Sequence, residues 1–233
     1  MMLAAPYLIV PHERPALVRA HDLKAFGASF APFFLMLPDA GVTYTTWNPS
    51  DKDPDISLSN ANLTATLAAG LGGVRATRFV SGSEKFYAEI NIDSILDQDD
   101  PSWGLSNATA GLAGVQHTND ANSWFFTHLH TGTTINKNNG GSTTALTSAV
   151  TWTAGKKWML AINRATGNAW GGYDGTWFDS GNPATGANPM FTAMTGAITI
   201  STFPGRSGSS HTLNAGQSAF AHALPSGFTG WLS

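Results

Sequence analysis

Cysteine is absent from this 233-residue chain. Neither disulfide staples nor a thiolate metal centre is open to it, so stability must come from packing and chemistry from other side chains. Charge is scarce too. Asp, Glu, Lys and Arg make up 12% of the residues, about half the usual share for a soluble domain, so the surface must be polar but largely neutral. With a formal net charge of −3 and no Lys/Arg cluster, the electrostatic footprint of a nucleic-acid binder is missing. No long apolar run is present either. The most hydrophobic window, AFGASFAPFFLMLP at 25–38, is split by Pro32 and is shorter than the roughly 20 residues that span a bilayer. The opening MMLAAPYLIVPHERP has no basic n-region, and Pro6 and Pro11 break its apolar stretch, so neither a signal peptide nor membrane insertion is expected.

What remains is a chain that changes character near Gly41. Before it lie five prolines, a small charge cluster (HERPALVRAHDLK) and an aromatic-rich run. One short helix is expected there, over 15–26, started by Pro15. Beyond residue 44 short apolar stretches alternate with turn signals, the pattern of a β-sandwich. KFYAEINID alternates cleanly: Phe86, Ala88, Ile90 and Ile92 on one face, Tyr87, Glu89, Asn91 and Asp93 on the other. KWMLAIN repeats the device with Trp158, Leu160 and Ile162. SLSNANLTATL, SWFFTHLH, AITISTF and QSAFAHAL each read as about one strand. Thr166-Gly167-Asn168 and Asp174-Gly175 predict two consecutive hairpins over 157–164, 169–173 and 176–179, because glycine supplies the positive φ that tight turns need. Gly171 and Gly172 should weaken the middle strand or mark a bulge. After Trp177 and Phe178, one packing inward and one outward, SGNPATGANP must be a loop, since Pro183 and Pro189 lack ladder donors.

Four stretches in order, YTTWNPSDKDPDISLSNANLTAT, GGVRATRFVSGSEKFYAEINID, INRATGNAWGGYDGTWFDSGNPATG and NAGQSAFAHALPSGF, resemble the SPRY-like domains of bacteriophage virion proteins. The matching motifs are Trp47-Asn48-Pro49, Gly73-Val74-Arg75-Ala76, the Asp174 to Trp177 hairpin and Gly216-Gln217-x-x-Phe220. The resemblance implies an all-β, two-sheet antiparallel, concanavalin-like jelly-roll sandwich over 44–233; the apolar, proline-rich composition before it reads as a mostly irregular attachment or oligomerisation segment over 1–43. It also implies a binding or structural module rather than an enzyme, working in the virion after assembly in the host cytoplasm. Its place would be the tail fibre or baseplate, with capsid decoration or a head fibre as the alternative. The partners implied are other virion proteins, a host-surface glycan and further copies of the same chain. Family members carry an aromatic and a Ser where this chain has Gly171-Gly172, and often an aromatic at Ala215.

Candidate chemistry is sparse. HTGTTINKNNGGSTTALTS (130–148) is polar and of low complexity. It reads either as a long exposed loop offering Asn136, Lys137, Asn138 and Asn139 to a glycan, or as a solvated hairpin connection. Sugar binding usually adds an aromatic platform, which Trp103 would lend if the fold brought it near; a core role is the competing expectation for Trp103. His128 and His130 share a strand face and could reach one metal, but no carboxylate lies close in sequence, so a polar strand face is favoured. No cofactor is expected. The acidic runs 51–55 and 93–100 offer oxygen ligands for calcium without the layout of an EF-hand loop. EINID resembles the acidic strand of laminarinase-type hydrolases, but Glu89 and Asp93 lie roughly 13 Å apart along one strand, too far for a glycosidase pair. In the N-terminal segment Phe30, Phe33, Phe34, Leu35 and Met36 would form an apolar patch of the kind that marks assembly contacts.

Overall fold

Strand alternation organises the molecule outward from its centre. The structure, a computed structural model, describes residues 44–94, 96, 100–114, 120–129 and 132–231, all within the unit Gly41–Ser233. The helix expected over 15–26 and the apolar residues Phe30 to Met36 lie outside the described residues. Among the described residues fifteen strands run in chain order. They begin with β1 (Trp47–Lys52), β2 (Ile56–Ser59), β3 (Thr64–Leu67), β4 (Val74–Ala76) and β5 (Lys85–Ser94). There follow β6 (Ser102–Ser106), β7 (Ser123–His128), β8 (Thr134–Asn139), β9 (Ser142–Ala149) and β10 (Lys157–Asn163). The last are β11 (Asn168–Tyr173), β12 (Thr176–Trp177), β13 (Thr199–Phe203), β14 (Ser210–Asn214) and β15 (Thr229–Gly230). One sheet has seven strands in the order β1-β4-β13-β6-β7-β8-β9. The other has eight, ordered β12-β11-β10-β5-β14-β3-β2, with β15 running parallel beside β5. Every other pairing is antiparallel.

The core lies between the sheets and is built by period-two patterning. Phe86, Ala88, Ile90 and Ile92 of β5 enter it together with Trp158, Leu160 and Ile162 of β10, as the alternation requires. The two sheets meet through Trp103 of β6 and Trp158, stacked with centroids 4.0 Å apart and planes 3° from parallel. An aromatic pair of this kind adds about 0.5–1.5 kcal/mol beyond the area it buries. One polar link also crosses the core: His211 Nδ1 lies 2.8 Å from Thr202 Oγ1. Burial pushes the imidazole pKa down from 6.5 to about 3, so it is neutral.

Several local expectations need correction. SLSNANLTATL is not one strand but the hairpin β2–β3, turned by Asn60, Ala61 and Asn62, all at positive φ. QSAFAHAL forms no strand; it folds over the outer face of the eight-stranded sheet, where Phe220 packs edge-on against Tyr87 with centroids 4.9 Å apart. That cover buries Tyr87 and Glu89, which alternation alone would leave facing water. Gly171 and Gly172 make no bulge, and β10 and β11 stay in unbroken register from Trp158↔Tyr173 to Asn163↔Asn168. The glycines are there for space. A Cβ on Gly171 would lie 2.4 Å from the ring of Phe126, so the ring occupies the space a side chain would need. The Asp174-Gly175 turn has positive φ at both positions, as a type I′ hairpin demands. Beyond it Phe178 enters the main core while Trp177 packs on the outer cluster around Tyr87.

Candidate functional site

The segment 130–148 is not a long loop. It supplies β8 and β9, a hairpin closed by Gly140 and Gly141 at positive φ. Period-two geometry then divides the four residues expected to bind a ligand. Ile135 is fully buried in the core, so Lys137 and Asn139 share its face, while Asn136 and Asn138 take the other. Asn138 is a structural residue. Its Nδ2 donates to Thr127 Oγ1 (2.9 Å), its Oδ1 accepts from Thr143 Oγ1 (2.7 Å), and it is only 2% exposed.

Lys137 and Asn139, by contrast, border a cleft of about 270 Å³. Register places Phe126 opposite Lys137 and Lys137 opposite Thr144, with Asn139 opposite Ser142. Trp124, two residues before Phe126 and half-buried, completes that wall. Met190, Phe191 and Thr192 form the facing wall. They are held by the other sheet: Met190 N donates to Ala169 O at 2.8 Å, and Ala169 N to Phe191 O at 2.9 Å. The cleft therefore lies where the two sheets meet at the edge of the sandwich. The Gly/Pro/Asn loop after Phe178 is what carries the chain round to it. That loop closes on itself through Asn182 and Ala187, and Trp170 Nε1 donates to Ala187 O at 2.8 Å.

Within the cleft Lys137 Nζ donates to Met190 O at 3.2 Å, and Asn139 Nδ2 to Ser123 O at 2.7 Å. Asn139 Oδ1 and the hydroxyls of Ser142, Thr144 and Thr192 have no protein hydrogen-bond partner among the described residues. An indole face beside an amide oxygen, three hydroxyls and one ammonium suits a small polar ring more than a reacting bond. Trp103 cannot serve as the aromatic platform, because it is fully buried against Trp158; the tryptophan that lines the cleft is Trp124. The sequence held half of this signal, since Trp124 alternates with Phe126. The cross-strand register that sets it beside Asn139 is not written in either strand.

The other candidates are absorbed by structure. His128 faces the interior with its Nε2 3.2 Å from Val150 O, and burial lowers its pKa; His130 lies outside the described residues. Glu89 Oε1 accepts from Tyr87 Oη (2.9 Å) and His222 N (2.8 Å), and Oε2 accepts from Ala221 N (2.8 Å). Burial first, and then the Glu89 charge, push the Tyr87 pKa up. Asp93 accepts from Asn91 Nδ2 and from Thr212 Oγ1. In the acidic run 51–55, Asp51 takes both Arg75 Nε and Nη2 at 2.8 Å, and Asp53 Oδ1 accepts from Asp55 N. Among the described residues no three His, Cys, Asp or Glu side chains gather as a metal site would need, and no helix is long and apolar enough to cross a membrane.

Comparison with solved structures decides the fold. The TRIM65 PSpry domain superposes with a TM-score of 0.55 over 74% of this chain and 90% of that one, at 12% identity. The SPRY domain of human HERC1 gives 0.53 over 74% and 99%, at 13% identity. The sandwich is SPRY-like. Stonustoxin matches with a TM-score of 0.52 at 13% identity over 73% of this chain, which spans 28% of that protein. No protein-family model matches the sequence, and no curated protein matches it. At these identities it is the SPRY-like architecture that is shared.

Proposed function

We propose that this chain is a non-catalytic binding module of a bacteriophage virion, displayed in the tail fibre or baseplate region, and that the Trp124–Lys137–Asn139 cleft takes a host-surface glycan. The observation that carries the binding role is the cleft itself, where hydrogen-bonding groups without protein partners surround a half-buried indole at the rim of a rigid sandwich. A scarcity of charge over the whole chain supports recognition by shape and hydrogen bonds. The virion setting is supported by the four SPRY-like motifs in their order. Non-catalytic character is supported by Glu89, whose two oxygens are committed to holding the C-terminal segment. Residues 1–43 would be the attachment arm, joining copies of the chain to the particle.

The test pairs saccharide binding with solution mass. Full-length protein is titrated with host-surface polysaccharide by calorimetry, and its molar mass is compared with that of a 44–233 fragment by light scattering. Saccharide binding without release of reducing ends, lost in Trp124→Ala, is the expected result. Tight association with capsid protein and no saccharide affinity would instead assign a head-decoration role, and released reducing ends would make the protein an enzyme.

A further inference from the structure

Lys137 is the one charged side chain among the described residues that line the cleft. Arg75 is matched by Asp51 and Lys156 by Asp174, while Lys52, Lys157 and Arg164 rest on neutral oxygens of the protein itself. Lys137 has only the neutral Met190 carbonyl, at 3.2 Å, and no ion-pair partner among the described residues. No carboxylate lines the cleft. An ammonium is compact and strongly hydrated, and its one protein contact, a neutral carbonyl, leaves it without a counter-charge in the cleft. An anion entering the cleft would supply what is missing, whereas a neutral ligand would not.

We infer that the glycan unit bound in this cleft is acidic: a single carboxylate-bearing pyranose, of the uronic acid type, with its carboxylate on Lys137 Nζ. The inference rests on the saccharide reading of the cleft and narrows it. Volume sets the size, because about 270 Å³ lies at the small end of ligand sites and admits one ring rather than an extended chain. The indole of Trp124 offers a flat apolar surface to the ring face. Ser142, Thr144, Thr192 and Asn139 Oδ1 offer both donors and acceptors, which ring hydroxyls need and a bare anion does not. An acidic peptide side chain would satisfy Lys137 but leave these four groups without use.

The experiment uses the full chain and three small probes: methyl glucuronide, methyl glucoside and doubly capped glutamate. The two sugars differ only at the carboxylate. Binding is followed by two-dimensional NMR of the indole N–H and lysine side-chain signals, in the natural protein, in Lys137→Met and in Trp124→Ala. The expected result is that the glucuronide shifts the Trp124 and Lys137 signals and binds roughly tenfold tighter than the glucoside, as a charge-assisted hydrogen bond requires. Lys137→Met should erase that preference while the remaining spectrum stays that of the folded protein. Equal binding of the two sugars overturns the acidic assignment and leaves the saccharide reading standing. Capped glutamate binding better than the glucuronide transfers the site to an acidic protein partner. If no probe moves Trp124, both the acidic assignment and the saccharide reading fall.

Discussion

Two parts of the sandwich use their polar residues in opposite ways. Along β5 the outer face is covered over Tyr87 and Glu89, and Glu89 is committed to two backbone amides and a phenol, while His211 on neighbouring β14 engages Thr202 through Nδ1. At the β8–β9 hairpin Asn138 is committed through both amide atoms, while in the row of Lys137 and Asn139 each side chain donates to a backbone oxygen and Asn139 Oδ1 has no protein partner among the described residues. The difference teaches where this molecule is rigid and where it has capacity left for a ligand. A fully satisfied polar group fixes structure; a half-satisfied one at a rim is free to recognise something else.

The sharpest way to break the comparison is to attack the centre. Trp103→Ala, which removes the stack that joins the sheets, should cost about 3–5 kcal/mol in urea unfolding. A loss below about 1 kcal/mol would mean that the stack does not join the sheets as described. Next comes Glu89→Ala, which strips the acceptor from Ala221 N and His222 N and should cost about 1–3 kcal/mol. Hydrogen exchange at those two amides should accelerate while amides of β8 and β9 stay protected.

A third prediction concerns pH. The imidazole of His211 titrates at about 3 in the fold and near 6.5 when free. Its folded pKa is depressed, so the unfolded chain takes up the proton first. This contribution to stability is complete above about pH 6.5 and is lost progressively as pH falls from there toward 3. Asp179 extends the decline at the acid end. Burial alone would raise its pKa, but donors from Thr147 and Ser148 outweigh that and hold it below the ordinary value. Unfolding midpoints measured at pH 7, 5.5 and 4 should fall in the natural protein. His211→Leu should flatten the change between pH 7 and 5.5; an unchanged slope would show that another group carries it.

The smallest expected effect on stability, and the most informative about the cleft, is Thr144→Val. It removes a hydroxyl on the cleft wall that has no protein partner among the described residues, so unfolding should move by less than about 0.5 kcal/mol, while saccharide affinity drops. A stability loss comparable to that of Glu89→Ala would erase the distinction between the two regions.

Much of the centre was legible because it obeys local rules. Phe86, Ala88, Ile90 and Ile92 alternate, Asp174-Gly175 has the chemistry of its turn, and neither depends on what lies across the sheet. The outer cover was not legible, since QSAFAHAL reads as a strand until Phe220 finds Tyr87. The cleft was half legible. The polar run at 130–148 drew attention to Lys137 and Asn139, but it also offered Asn136 and Asn138, and it led to Trp103 in place of Trp124.

By itself, then, the sequence determined an all-β sandwich without thiol chemistry, its central strands and its hairpins, because composition and period-two patterning act over a few residues. Tertiary structure decided which of four neighbouring polar residues border the cleft, and which tryptophan stands beside them. The reason is geometric: the facing of a strand is settled by its own alternation, but the company a side chain keeps is settled by the register of strands far away in sequence.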